Sequence, residues 1–241
     1  KQAYVPLTDI SPEMRNAIIA IEDARFFQHP GVDIKGIVRA IWVDLKRGTR
    51  AQGASTITQQ LARTLFLSPE KTMQRKIAEA LLALLLELRY SKGRILEMYL
   101  NTIYFGEGAY GIEDAALTYF GKSASELTLA EATLLASLPK APSTLSPYRN
   151  PERALERRHL VLQRMVDLGY VTQEQADAAT DEPLRLAGLR GGLAPYFVDH
   201  VTAELVARYG SNTVYRGGLR VHTTLDLEMQ TAAHDALGQS Q

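Results

Sequence analysis

The chain has 241 residues, of which 46% are hydrophobic and 22% charged, so a disordered or fibrous protein is excluded and a folded globular one is expected. Its 27 basic and 27 acidic residues cancel, so no overall positive charge attracts the chain to nucleic acid. The lack of cysteine excludes disulfides, a thiol nucleophile and a cysteine-bound zinc site, and leaves the redox compartment open.

The first predicted helix carries an acid on its apolar side. Ser11, followed by proline, is placed as the N-cap, and the apolar spacing predicts a helix to about Phe26. At about 100° per residue, Glu22 falls between isoleucines, whereas Asp23 falls opposite. Burial there would raise the pKa of Glu22 toward the range that suits a general acid or base. On these residues alone, the favoured interpretation is a helix-end glutamate that pairs with Arg15 or is exposed by fraying.

An amphipathic helix is predicted between Gly36 and Gly48. One side is apolar and includes a tryptophan, and the other side carries arginine and lysine, a pattern typical of helices at membrane interfaces. Packing against the protein body explains the pattern equally well. The apolar positions are Ile37, Val38, Ile41, Trp42 and Leu45.

Residues 53–63, GASTITQQLAR, predict a turn of small residues that leads into a helix. Thr56 and Gln59 fit a capping box, and Arg63 follows. Such a helix N-terminus suits phosphate or pyrophosphate, because backbone N–H groups and the helix dipole face the anion. The stretch lacks the Gly-Lys-Ser/Thr ending of a P-loop, and on its own an ordinary capped helix is the favoured interpretation.

A longer helix is predicted from Ser68, again followed by proline, to about Tyr90. Leucines surround its middle, so the helix is expected to be central and buried. Arg75, Lys76 and Glu79 share one narrow face, and buried charges need a polar cleft, a charged ligand or each other. An ion pair between Arg75 and Glu79 would satisfy two of them, but the remaining cation favours a functional site.

The remainder is predicted to be mainly helical, with one helix from Pro151 to about Leu168 and another over 173–179 behind a capping box at Thr172. Strand character is confined to residues 219–224. A boundary is expected in the stretch GLRGGLAP, residues 188–195.

Two motif matches are rejected. GEGAYG at 106–111 fits the dinucleotide pattern GxGxxG, but a helix and not a strand precedes it, so a loop between helices is predicted. The SxxK match that starts at Ser137 has no KTG downstream, and Pro139 interrupts the helix that would align serine with lysine.

Five stretches follow one another between about Ile18 and Pro147: EDARFFQHPG, GASTITQQLAR, RKIAEALLALLLE, ILEMYLNTIYFGEGAYGIEDAALTYFGK and LTLAEATLLASLPKAPSTLSP. In this order they resemble the motifs of the peptidoglycan glycosyltransferase domain, glycosyltransferase family fifty-one. This domain belongs to class A penicillin-binding proteins and monofunctional transglycosylases.

The resemblance implies a mainly α fold with a lysozyme-like head lobe, a smaller membrane-proximal jaw lobe at about 34–70, and a short C-terminal linker of strand and helix. Residues 1–187 would form the glycosyltransferase domain. Residues 188–241 would lead toward a transpeptidase domain that is absent from this chain. The expected location is the outer, periplasmic face of the bacterial cytoplasmic membrane, with an anchoring N-terminal helix missing from this chain.

The resemblance also implies an activity, the polymerisation of lipid II into β-1,4-linked glycan with inversion and release of undecaprenyl pyrophosphate. It makes Glu22 the general base and Glu79 a second catalytic acid that orients cations or a divalent metal instead of donating a proton. Arg63 stands where family members often carry lysine, which keeps the charge but changes the geometry. The substrate-binding positions are Asp23, Phe27, His29, Gly31, Ser55, Thr56, Gln59, Gln60, Arg63, Arg75, Lys76 and Asn101.

The expected partners are lipid II, the growing lipid-linked glycan and the membrane surface, which Ile37, Ile41, Trp42 and Leu45 would contact. Nucleic acid is not expected, and moenomycin-type phosphoglycolipids are expected to inhibit. The sequence requires no cofactor, while a divalent cation, Mg²⁺ or Mn²⁺, stays open and its ligands are unknown. Two rivals remain: a lytic muramidase on the same fold, which needs no cation cluster, and a non-catalytic helical scaffold whose acids form internal ion pairs.

Overall fold

A computed structural model describes residues 3–36, 55–67, 72–187, 195–210, 213–214, 221–226 and 229. The chain divides into two compact units, one of residues 2–185 and one formed mainly by residues 186–241. The second unit contains α9 (Pro195–Tyr209). The first contains α1 (Pro12–Glu22), α2 (Ile57–Phe66), α3 (Met73–Arg89), α4 (Lys92–Thr102), β1 (Tyr104–Gly106), β2 (Ala109–Tyr110), α5 (Ile112–Phe120), α6 (Leu129–Ser137), α7 (Pro151–Asp167) and α8 (Gln173–Asp181).

Side-chain caps set where several helices begin. The Ser11 hydroxyl accepts a hydrogen bond from the Met14 N–H, and proline occupies the first turn of α1. Both predicted capping boxes are present, at Thr56 before α2 and at Thr172 before α8. The helix predicted from Pro151 is also confirmed.

Two predicted helix limits are wrong. Helix α1 stops at Glu22 instead of near Phe26, because Asp23 leaves helical geometry with φ −157° and ψ 74°. Helix α3 begins at Met73, because the Thr72 side chain accepts the Arg75 N–H and acts as the N-cap. The predicted start at residue 68 lies outside the described residues.

The central helix of the first unit is α6, not α3 as the leucine pattern predicted. Helices α1 and α7 pack on α6, and seven of its nine residues are buried. By contrast, α3 packs mainly against α2, and Leu81, Leu85 and Leu88 are 58%, 60% and 85% exposed. Leu81, Leu85 and Leu88 therefore lie on an outward side of α3, so the run of leucines does not mark a central helix.

A short antiparallel hairpin occupies the stretch predicted to be a loop between helices. Strands β1 and β2 pair Tyr104 with Tyr110 and Gly106 with Ala109. Glu107 has φ 48° and Gly108 has φ 77°, and positive φ at both turn residues matches the twist of a two-residue hairpin turn. The prediction of a loop is therefore wrong, because the two-residue turn at Glu107 and Gly108 lets the flanking residues pair as strands.

The strand predicted over 219–224 is absent from its described part, since residues 221–226 are neither helical nor paired in a sheet. A strand requires pairing in a sheet, and the described sheet consists of β1 and β2 alone. No helix in the described ranges is both long enough and apolar enough to cross a bilayer.

Candidate active site

The end of α1 places the Glu22 carboxylate against the first turns of α2. Gln60 Nε2 donates a hydrogen bond of 2.8 Å to Glu22 Oε2. Burial raises the pKa of Glu22, while this bond and the positive charges of Arg157, Lys140 and Arg63 oppose the rise. The alternative pairing of Glu22 with Arg15 is not found; the hydrogen bond of its carboxylate goes to Gln60. An acid with a raised pKa that still meets solvent is suited to take up a proton.

A buried network joins the residues after α1 to the start of α2. Asp23 is 7% exposed, and its carboxylate lies 3.0 Å from His29 Nε2 and accepts the Ile57 N–H at 3.1 Å. Asp23 was predicted to lie on the outer side of the helix, which is wrong because the helix has already ended there. The Gly31 N–H donates to His29 Nδ1, and the Thr56 hydroxyl donates to the Gly31 carbonyl at 2.5 Å.

Gly31 has a specific reason to be glycine. Its φ is +90°, and a Cβ added there would lie 2.9 Å from the Ala83 carbonyl oxygen of α3. The close approach brings the loop after α1 against α3, so Gly31 helps to set the distance between the acid and the cations of α3.

The first two turns of α3 carry a cluster of cations around a buried acid. Glu79 is fully buried, Arg75 Nη1 donates to its Oε1, and Lys76 Nζ donates to its Oε2 at 2.9 Å. Lys76 Nζ also donates to Ser55 Oγ at 2.6 Å. The Arg75–Glu79 ion pair is therefore present, and Lys76, whose side chain is 43% exposed, is the member that reaches outward.

Arg63 links the acid and the cation cluster. Its Nη1 lies 4.0 Å from Glu79 Oε1, and its charge also acts on Glu22. The side chain of Arg63 is 40% exposed, so the guanidinium is accessible to a ligand. Glu22, Arg63 and the Arg75–Lys76–Glu79 cluster consequently belong to one site.

Three predicted substrate-binding residues make contacts away from Glu22 and the cation cluster. Gln59 is buried and its Oε1 accepts the Thr56 N–H, so its side chain closes the capping box. Asn101 is used structurally, because its amide donates to the Val5 carbonyl and its oxygen accepts the Val5 N–H. Phe27 is 61% exposed and packs edge-on against Phe26, beside a groove that Leu84 and Leu88 also line.

Gln59 and Asn101 thus make bonds within the protein, and their contact with substrate stays a prediction. The proposed membrane contacts Ile37, Ile41, Trp42 and Leu45 lie outside the described residues.

The sequence reasoning overlooked three residues around Glu22. Tyr99 of α4 is fully buried, and its hydroxyl donates to Gln60 Oε1 at 3.1 Å. Arg157 of α7 and Lys140 act electrostatically on Glu22. No local pattern marks Tyr99 or Arg157, since each reaches the acid only through helix packing.

The donor set does not favour a divalent metal at this site. In the part of the chain that the structure describes, no three His, Asp or Glu side chains come together in a group that could hold an ion. Glu79, the predicted candidate, already meets three cationic side chains. Of its two predicted roles, the contacts support the orientation of cations.

The first unit is mainly helical and holds a partly buried acid, Glu22, beside the cations that surround Glu79. The sequence matches the family described as Transglycosylase over residues 1–166. It is 48% identical over 238 residues to penicillin-binding protein 1A of Aquifex aeolicus, covering 98% of this chain and 33% of that relative. It is 49% identical over 236 residues to penicillin-binding protein 1A of Escherichia coli, covering 97% and 28%.

A solved structure is also similar. The 2.6 Å crystal structure of penicillin-binding protein 1A from Haemophilus influenzae matches with a TM-score of 0.53 and 30% identity, covering 98% of this chain and 25% of that one. The chain spans about a third or less of the length of these relatives. The chain belongs to the transglycosylase family, which confirms the family and the mainly α fold predicted from the five ordered motifs.

Proposed function

We propose that this chain polymerises lipid II into the β-1,4-linked glycan of peptidoglycan. The observation that carries the proposal is the position of Arg63, which acts on Glu22 and also lies 4.0 Å from Glu79 within the cation cluster. Arg63 therefore lies between a base and a set of cations. The base can act on the attacking hydroxyl, and the cations can act on the leaving pyrophosphate of the same displacement.

Glu22 is the general base of the proposed reaction. It removes the proton from the 4-hydroxyl of the acceptor sugar, and the hydroxyl oxygen forms a bond to C1 of the donor. The C1–phosphate bond breaks on the opposite face, so the configuration inverts and the electron pair leaves with undecaprenyl pyrophosphate. The raised pKa of Glu22 makes it a stronger base than an ordinary glutamate.

The cations stabilise the pyrophosphate that leaves. Lys76 and Arg63 are partly exposed, so their charges are available to the substrate. Glu79 is fully buried among cations and holds them in place. Pyrophosphate needs no proton to leave once its charge is neutralised, which fits a site with many cations and one accessible base. Moenomycin-type phosphoglycolipids would compete for the same cations, and their inhibition stays a prediction.

The muramidase alternative is disfavoured by the same contacts. A lytic enzyme protonates a leaving sugar and has no use for a cation cluster around a buried carboxylate. The direct test is incubation of the purified chain with lipid II. Polymer formation that Glu22→Gln abolishes supports the proposal, whereas release of muropeptides from finished peptidoglycan would support the muramidase. A folded chain that does neither would favour the scaffold.

Contact with the membrane surface is part of the proposal. Lipid II is held in a bilayer, and α3 exposes Leu81, Leu85 and Leu88, an apolar patch unusual on a water-facing helix. The patch belongs to the helix that carries the cation cluster. The outer face of the cytoplasmic membrane as location, and residues 188–241 as a linker toward a transpeptidase domain, likewise stay proposals.

A further inference from the structure

A chain of two hydrogen bonds connects the protein core to Glu22. Tyr99 is fully buried in α4, and its hydroxyl donates to Gln60 Oε1 at 3.1 Å. Gln60 Nε2 in turn donates to Glu22 Oε2 at 2.8 Å. The carboxamide of Gln60 thus lies between a phenol that comes from the core and the carboxylate of the proposed base.

We propose that Tyr99 is a positioning residue for glycan polymerisation, because its hydroxyl holds the Gln60 carboxamide in the one orientation that points an N–H at the Glu22 carboxylate. The inference rests on the proposed function, since it concerns the residue assigned there as general base.

The direction of each bond follows from the chemistry of the groups. Glu22 as a carboxylate can only accept, so the amide nitrogen of Gln60 must face it. The amide oxygen then faces Tyr99 and requires a donor. Burial and the negative charge of Glu22 raise the pKa of Tyr99 well above its ordinary value, so the phenol keeps its proton and remains a donor at every working pH.

Removal of the hydroxyl would leave the Gln60 oxygen without this donor. The carboxamide could then rotate toward water, and Glu22 would lose a bond that favours its charged form. The other charged groups that act on Glu22 are Arg63, Arg157 and Lys140, and those that act on Tyr99 are Arg63, Asp23 and Glu22 itself. None of these is altered by Tyr99→Phe, so a change in the titration of Glu22 can be traced to Gln60.

The experiment measures kcat/KM for lipid II polymerisation from about pH 5 to about pH 9, where a base with a raised pKa titrates. We expect Tyr99→Phe to move the acidic limb of the profile to higher pH and to lower kcat/KM near neutrality by about 2- to 10-fold, the worth of one hydrogen bond. We expect Gln60→Leu to move the limb in the same direction, and Tyr99→Phe to add nothing further in that background.

Tyr119→Phe is the matched control. Tyr119 is also fully buried, and its hydroxyl donates to the Phe105 carbonyl at 2.9 Å, a bond that does not involve Glu22. The control should lose comparable stability and keep the wild-type pH midpoint. The proposal is overturned if Tyr99→Phe shares that midpoint, or, should Tyr99→Phe not fold, if Gln60→Leu does. If instead Glu22→Gln polymerises at the parent rate, the base assignment itself fails, which is a separate outcome.

Discussion

The Asp23 carboxylate accepts a hydrogen bond of 3.1 Å from the Ile57 N–H, 34 residues further along the chain. This bond satisfies a free N–H at the start of α2 and fastens that start to the residue that follows Glu22. As a result, Gln60, one turn into α2, reaches the Glu22 carboxylate. The placement of the acid therefore depends on a neighbour that does not itself take a proton from the substrate.

Loss of the hydrogen bond between the Ile57 N–H and the Asp23 carboxylate should lower the stability of the fold and the activity together. Asp23→Ala leaves the Ile57 N–H and the His29 ring without their buried partner, so the free energy of unfolding should fall by about 1–3 kcal/mol. Urea unfolding of purified protein measures the change. Asp9→Ala removes an exposed carboxylate bonded to the Thr8 hydroxyl and should change stability by less than about 0.5 kcal/mol. Equal effects of the two substitutions would contradict the structural role of Asp23.

Substitution of the proposed base should make the protein more stable near neutral pH. The pKa of Glu22 is raised by burial, so the folded chain holds this proton more tightly than the unfolded chain, and stability falls as pH rises between the two pKa values. Glu22→Gln removes that loss. We expect a gain of about 0.5–2 kcal/mol at neutral pH, as is common when an unfavourably buried functional group is replaced.

The gain should disappear below about pH 4, where glutamate is protonated in both states. Thermal unfolding as a function of pH is the measurement. A Glu22→Gln variant with the wild-type pH dependence of stability would show that burial of the carboxylate carries no such penalty.

Lys76 should be required for catalysis and dispensable for folding. Glu79 keeps its bond from Arg75 when Lys76 is shortened, so the buried acid remains paired. We expect Lys76→Ala to lower kcat/KM for polymerisation by about 100-fold or more, the usual effect of losing one group that stabilises developing negative charge. Lys122→Ala, which breaks a 2.9 Å ion pair with Glu131, is the control and should retain activity. A folded Lys76→Ala variant with full activity would remove the pyrophosphate assignment.

Gly31 should tolerate alanine less well than another glycine whose φ is also positive. Gly169 has φ +72° and nothing within 4 Å of an added Cβ, so Gly169→Ala should cost only about 1–2 kcal/mol for its left-handed conformation. Gly31→Ala also places alanine at a positive φ, +90°, and in addition brings its Cβ to 2.9 Å from the Ala83 carbonyl oxygen. We expect a larger loss of stability and a fall in activity for Gly31→Ala alone. Indistinguishable unfolding curves would show that α3 can move away without consequence.

The exposed leucines of α3 should contribute to membrane binding. Replacement of Leu81, Leu85 and Leu88 together by serine should weaken binding to anionic vesicles by at least about ten-fold, because each leucine that enters the interface is worth more than about 1 kcal/mol. Vesicle co-sedimentation measures the binding. The control is the double variant Leu160→Ser and Leu168→Ser, which removes exposed leucines in α7 and directly after it. Unchanged binding by the α3 variant would exclude this patch from the membrane contact.

Local chemistry made several features of this protein predictable. The capping boxes at Thr56 and Thr172 involve only residues within one turn, so the spacing of these residues in the sequence predicts them. The same holds for the bond between Arg75 and Glu79, four positions apart on one helix. The order of five motifs was sufficient for the family and for the mainly helical fold.

Contacts between distant segments were beyond the reach of such patterns. The leucine pattern of α3 suggested a central helix, yet only the packing of α1 and α7 shows that α6 has that place. Asp23 is directed inward because α1 ends at Glu22, the residue before it, so Asp23 no longer follows the helical periodicity.

Glu22, the acid of EDARFFQHPG, shows most clearly the difference between what local sequence predicts and what contacts between distant segments determine. Helix periodicity by itself determined that Glu22 is directed inward and that its pKa should rise. Only the tertiary structure decided what surrounds it: Gln60 comes from α2, Tyr99 from α4 and Arg157 from α7. Hydrogen bonds and charges act over a few ångströms of space whatever the separation in sequence, so the tuning of an active-site group depends on how helices pack and not on the motif in which it lies.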